Sequence, residues 1–266
     1  MIRSYIIFLV FVSILFGCSS SDVTQNMPAE ERFAIGKKLF EEEEYLDAKK
    51  EFEIVKLQYP GSSVADDAQY YLAECYYMRE EYLLASEEYK SLRRNLPGST
   101  YLSLAQYKIA MCYYNLSPES HLDQQYTLKA IDMFQSFIEY YPTDDLVADA
   151  SSKIKELNGR LAQKDFDSAE LYMKLGYYRS AAYYYNGIVE KFHDTPFAEP
   201  AHVGLAKAQT ARKKYEEAKA AIEKFLQKYP HSKQLPEIES LKKEIEEKLQ
   251  SRSGSGSPEQ HSQTIK

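Results

Sequence analysis

One arithmetic regularity constrains this 266-residue chain more than any other feature. An alanine recurs at Ala48, Ala85, Ala130, Ala181 and Ala218. Four residues after each stands a large apolar residue: Phe52, Tyr89, Phe134, Tyr185 and Ile222. Twelve residues after each stands a closing position: Pro60, Pro97, Pro142, His193 and Pro230. Proline has no N–H with which to continue a helix, so these positions read as helix stops. Upstream, a small residue precedes the alanine by twelve positions at Gly36, Ala73, Ala169 and Ala206, and a tyrosine precedes it by three at Tyr45, Tyr82, Tyr178 and Tyr215. The third copy keeps its small residue, Ala110, but carries eight extra residues from Asn115 to about Leu122. Two helices approach closely only where Gly or Ala leaves room for the facing chain. Each copy therefore reads as one helix pair.

Helix pairs in this register, repeated, form the tetratricopeptide pattern. The expected fold is all-α: a solenoid of five tetratricopeptide-like helix pairs with an elongated fourth repeat and a C-terminal capping helix. The elongation is read from fourteen extra residues before Ala169, in a stretch, 145–175, without proline. Ile154, Leu157, Leu161, Phe166, Ala169 and Leu171 keep a rough helical spacing there, which predicts one long helix. Ile238, Leu241, Ile245 and Leu249 mark the cap. Repeats one to three occupy 29–142, and repeats four and five with the cap occupy 143–250. The Gly/Ser-rich tail, 251–266, is expected to be disordered. The acidic run Glu41–Glu44 reads as the solvated end of the first helix.

Residues 1–17 read as a leader rather than as fold. Arg3 precedes a run of twelve mostly apolar residues, Tyr5 to Phe16, which is too short to span a bilayer. The run ends Leu15-Phe16-Gly17-Cys18, which resembles a bacterial lipobox. It implies a lipidated Cys18 and a tether over 18–28. Two or three acyl chains, at roughly 0.8 kcal/mol per buried methylene, hold a protein on a membrane without a spanning helix. Ser19 after the cysteine fits the periplasmic face of an outer membrane.

A net charge of −7 leaves no basic stripe for nucleic acid. Trp is absent, so 24 Tyr and 12 Phe supply the large packing groups. Cys75 and Cys112 occupy the same position in consecutive repeats. Helix axes lie about 8–10 Å apart, and disulfide Cα atoms must come within about 7 Å, so two buried free thiols are expected. His121, His193, His202, His231 and His261 stand in loops, at a helix start and in the tail, none at metal-ligand spacing. His193-Asp194 reads as a turn pair. No enzyme, cofactor or metal site is expected.

The first helix of each tetratricopeptide repeat lines the concave groove. Residues three before and four after the small position share one stripe of that helix. They are Phe33 and Phe40, Tyr70 and Tyr77, Tyr107 and Tyr114. Such a stripe, with Lys37 and Arg79 near it, suits an extended aromatic-rich peptide ending in a carboxylate. Packing between helices is the competing reading of the same rings.

The long-helix stretch carries a second resemblance. Leu157-Asn-Gly-Arg160-Leu161-Ala162, with Phe166 and then Ala169-Glu170-Leu-Tyr172, is similar to the corresponding stretch of the BamD family, tetratricopeptide lipoproteins of the β-barrel assembly machinery. The resemblance implies a lipid-anchored scaffold that docks on the periplasmic domains of a BamA-type barrel and receives unfolded outer-membrane proteins. Other Bam lipoproteins are implied as further partners, and Arg160 and Lys164 as the BamA contact. Arg160 also stands four residues after Glu156, which reads as an ordinary pair on one helix face. A different periplasmic repeat lipoprotein, coordinating cell-wall or envelope constriction machinery, is the alternative; the repeat count and lipobox suit both.

Overall fold

The computed structural model describes residues 27–254. The leader, Cys18 and the tail from residue 255 lie outside the described residues. Among those described, the chain forms eleven α-helices. They are α1 (Ala29–Glu41), α2 (Tyr45–Gln58), α3 (Ala65–Met78), α4 (Tyr82–Asn95), α5 (Leu102–Leu116), α6 (Gln125–Tyr140), α7 (Val147–Lys174), α8 (Tyr178–Lys191), α9 (Ala198–Ala211), α10 (Tyr215–Lys228) and α11 (Leu235–Gly254). None of them is long and apolar enough to cross a membrane. The five helix pairs and the cap are those the repeat arithmetic predicts, and the cap continues to Gly254, past residue 251 where the tail was expected to begin.

The chain divides into two compact units, Met1–Cys112 and Tyr113–Lys266. In the first, α1 packs on α2, α2 on α3 and α3 on α4. In the second, the same succession runs from α6 to α11. The repeat positions supply the contacts. All five alanines are fully buried, and Phe52, Tyr89, Phe134, Tyr185 and Ile222 are buried with them. Each large side chain contributes about 1.5–3 kcal/mol by leaving water. Gly36 shows why the small position must be small: a Cβ there would stand 2.8 Å from the Phe52 ring. Cys75 and Cys112 are free and buried, as expected, and burial pushes both thiols up to about 12.

Two turns alternate along the chain. Between repeats, the helix ends shortly before the closing position, and a backbone turn follows. Ser62 N–H donates to the Tyr59 carbonyl and Ser99 N–H to that of Leu96, with the proline second in the turn. His193 takes the proline's place without changing the pattern, because Thr195 N–H still donates to the Phe192 carbonyl. Within repeats one, two, four and five, the first helix ends in a Schellman motif. Glu43 N–H donates to Phe40 and Glu44 N–H to Leu39, with Glu43 left-handed at φ 63°. Glu80 and Lys213 repeat this at 61° and 59°; only Gly176, at 76°, uses the residue to which that conformation costs nothing. The acidic run thus lies exposed at a helix end, with one of its glutamates in the turn.

Helix α7 is the predicted long helix, 28 residues. The Asp144 carboxylate accepts from Leu146 N–H ahead of its first turn, and no proline interrupts it. Ala150, Leu157, Ala162 and Ala169 form its buried face. Leu171 does not join them. Two residues past Ala169 is more than half a turn round the helix, and Leu171 is 54 % exposed.

Candidate functional site

Several of the predicted groove rings pack between helices instead. Phe33 lies 5.7 Å from the Phe52 ring and 6.0 Å from that of Tyr71. Phe40 meets Tyr45 and Tyr71, both at 5.3 Å and edge-on. Tyr70 is 7 % exposed and stacks on Tyr101 at 4.3 Å, so its ring is not available to a ligand. Phe40, Tyr77 and Tyr107 remain partly open. Tyr77 meets Tyr82 at 5.4 Å, with the Lys108 ammonium 4.4 Å from its centroid.

The two cations expected near these rings are already engaged. Lys37 donates to the Tyr71 hydroxyl at 2.7 Å and pairs with Glu41 at 3.6 Å. Burial works against its charge, but these partners outweigh burial and raise its pKa. Arg79 grips one oxygen of Glu81 through Nε and Nη2, at 2.9 and 2.7 Å. Both cations remain about one-third exposed.

In the second unit, Tyr114 is engaged by α7. Its hydroxyl donates to Glu156 at 2.7 Å, and its ring lies under Lys153 and Arg160. Burial pushes the Glu156 carboxyl up, but the hydrogen bonds from Tyr114 and Arg160 prevail and hold it low. Arg160 makes the expected pair with Glu156 at 2.7 Å, and a longer-range contact that sequence did not suggest: it donates to the Ser117 carbonyl and hydroxyl at 3.0 and 3.1 Å. Lys164 donates to the Leu122 carbonyl at 2.6 Å. Both residues thus hold the eight-residue insertion between α5 and α6. The insertion is tied from within as well, because the buried Gln124 amide donates to the carbonyls of Glu119, Ser120 and Leu122. Glu119, His121, Leu122 and Asp123 are exposed on it and beside it.

The remaining residues of the long-helix signature are packing residues. Ala162 and Ala169 are fully buried, Phe166 meets Tyr185 and Phe197 at 5.7 Å each, and Tyr172 stacks on Tyr184 at 5.6 Å. Glu170 accepts from the Tyr185 hydroxyl.

One polar column went unread in the sequence. Four positions before each small residue stand Arg32, Gln69, Gln106, Asp165 and His202. Four of the five are buried and Asp165 is partly so. Arg32 pairs with Glu51 at 2.8 Å, and Gln69 donates to the Glu88 carboxylate at 2.6 Å. His202, near the start of α9 as expected, is 3 % exposed, and its Nδ1 has no hydrogen-bond partner. The signal was the alignment of one repeat column. His193 and Asp194 stand 3.9 Å apart on the surface, and His261 lies outside the described residues. Among the described residues, no three His, Cys, Asp or Glu side chains gather as a metal site would need.

The family model YfiO, described as an outer membrane lipoprotein, matches residues 25–201, and a tetratricopeptide repeat model matches 201–232. No curated protein matches the chain. Among solved structures, it is similar to the TPR2AB-domain:pHSP90 complex of yeast Sti1, with 16% identity, a TM-score of 0.46, and 85% of this chain and 86% of that one covered. It is also similar to a thermophilic tetratricopeptide protein of Thermus thermophilus, with 18% identity, a TM-score of 0.35, and 80% and 98% covered. The family match spans the first four repeats, the insertion and the long helix. The chain belongs to the YfiO family of outer membrane lipoproteins, the BamD family that the long-helix sequence resembles.

Proposed function

We propose that this protein is an outer-membrane protein assembly factor. It is a lipid-anchored scaffold on the periplasmic face that docks on a BamA-type barrel and receives unfolded β-barrel proteins for insertion. The observation that carries the reading is membership of the family over residues 25–201. Two local geometries give it residues.

Substrate reception falls to the half-open rings of the first unit, Phe40, Tyr77 and Tyr107, while Phe33 and Tyr70 pack against neighbouring rings. An extended strand with an aromatic end finds apolar area on such rings. Its terminal carboxylate finds Lys37 and Arg79, whose present partners are exchangeable, since surface ion pairs contribute about 0–1 kcal/mol. Docking falls to Arg160 and Lys164 on α7 together with the insertion 117–124 that they hold.

The test is native co-purification from membranes, with the chain as bait. A β-barrel with periplasmic domains supports the reading; recovery of cell-wall factors alone refutes it. A peptide ending in phenylalanine should bind the mature chain, and Tyr77→Ala with Tyr107→Ala should weaken that binding without loss of the barrel partner. The buried Tyr70 is not a useful site for this test, because its truncation removes core packing.

A further inference from the structure

The first two repeats share one pairing at the position four before the small residue. In the first repeat Arg32 donates to Glu51, nineteen residues later on the second helix of the pair, at 2.8 Å. In the second, Gln69 donates to Glu88, again nineteen later, at 2.6 Å. In the fourth repeat the position holds Asp165, and nineteen later stands Tyr184. Where the first repeat closes a guanidinium on a carboxylate, the fourth holds a carboxylate with no donor. Asp165 makes no hydrogen bond or ion pair among the described residues, and burial, opposed by Lys191 and Lys164 from further off, pushes its carboxyl above the ordinary range.

Asp165 lines a surface cleft between α7 and α8 with Tyr183, Tyr184, Gly187, Glu190 and Lys191. The Tyr183 ring is 76 % exposed and stands edge-on to Tyr184 at 5.6 Å. Tyr184 is fixed by its stack on Tyr172. Gly187 leaves the wall open, with nothing within 4 Å of where its Cβ would be. An open aromatic face beside two carboxylates matches a planar cation that both stacks and donates along a fork. Lys191 stands among the lining residues with no ion pair to a described residue, and its flexible stem lets it move aside.

We propose that the α7–α8 cleft binds an arginine side chain presented by a partner protein, its guanidinium donating to Asp165 and lying against the Tyr183 ring. The site is independent of the assembly role proposed above, since it rests on the α7–α8 geometry alone.

The test titrates the mature full chain with acetyl-Gly-Arg-Gly-amide and with the same peptide carrying citrulline, read by amide NMR. The arginine peptide should shift Tyr183 and Gly187 saturably. Loss of the charge-assisted bond should make citrulline bind roughly tenfold more weakly, and Asp165→Asn should weaken the arginine peptide by the same factor. Gly187→Leu fills the cleft and should abolish the shifts of the remaining lining residues; it decides the matter if Asp165→Asn perturbs α7. Equal binding of the two peptides, or arginine binding unchanged by Gly187→Leu, overturns the proposal.

Discussion

His202 makes the stability of the second unit sensitive to acid. It stands on α9 against Phe225 and Tyr229, with ring centroids 6.5 and 5.6 Å away. Burial first, then the charges of Lys228 and Lys224, lower its pKa from 6.5 to about 4. The unfolded chain therefore binds a proton between those values that the folded chain refuses. Stability contributed by the neutral ring is present above pH 6.5 and is lost as pH falls toward 4. At about 1.4 kcal/mol per unit, the shift amounts to about 3 kcal/mol over the whole window and about 2 kcal/mol between pH 7 and pH 5.

His202→Phe keeps an aromatic ring among aromatic neighbours, removes the titrating group, and removes the buried Nδ1 that lacks a partner. Urea unfolding followed by helical circular dichroism, at pH 7 and at pH 5, separates these effects. At pH 7 the variant should match or exceed the wild type, since a buried unpaired polar atom costs about 1–3 kcal/mol. From pH 7 to pH 5 the wild type should lose about 2 kcal/mol more than the variant, because every other carboxylate and histidine is common to both. An imidazole resonance in the folded protein should titrate near 4. Parallel losses in the two proteins, or an imidazole titrating near 6.5, would refute the reasoning.

Three further outcomes follow from the same geometry. Arg160→Leu should leave helical content unchanged while amide exchange in 117–124 accelerates and co-purification of the barrel partner falls; unaltered exchange would show that Arg160 does not hold the insertion. Glu43→Gly, Glu80→Gly and Lys213→Gly should each stabilise by about 1 kcal/mol, because each relieves a side chain at positive φ, and a fall in urea midpoint would argue against it. Gly204→Ala should destabilise by about 1–3 kcal/mol, since a Cβ there would overlap the Tyr185 ring; a neutral result would mean that ring can move.

The helix pairs were legible because their signals are local and repeated. A small residue, an alanine and a stop twelve residues later specify close approach and termination whatever the rest of the chain does. The fate of the rings was not legible in this way. Tyr70 is buried because Tyr101, thirty-one residues on, stacks against it, and helical period alone does not distinguish a ring facing a groove from one facing the next turn. Arg160 divides along the same line. Its pair with Glu156 lies one helical turn away and was readable; its bonds to Ser117 span 43 residues and were not. His202 was missed for a third reason. A place near a helix start does not say which way the ring faces, whereas its column, shared with the buried Arg32, Gln69 and Gln106, points inward.

That column also separates scaffold from site. A tetratricopeptide array tolerates any buried polar residue that meets a partner, since satisfied polar groups cost little and orphaned ones cost much. Repeats one and two meet this condition with a residue nineteen positions on. Repeats four and five do not, and repeat four also carries the lengthened helix whose Arg160 and Lys164 grip the insertion. The departures in length gather between the insertion and α8, while the steps from Ala48 to Ala85 and from Ala181 to Ala218 on either side are both 37 residues. Local rules that fail together in one segment mark places where structure has been given over to function. Restoring the rule should expose the trade: Asp165→Gln with Tyr184→Glu rebuilds the Gln69–Glu88 pair in repeat four. The double variant gives up the Tyr172–Tyr184 stack for the new pair, and with its helical circular dichroism unchanged it should lose arginine-peptide binding. Retained binding in a folded double variant would mean that the missing donor in repeat four has no bearing on the cleft.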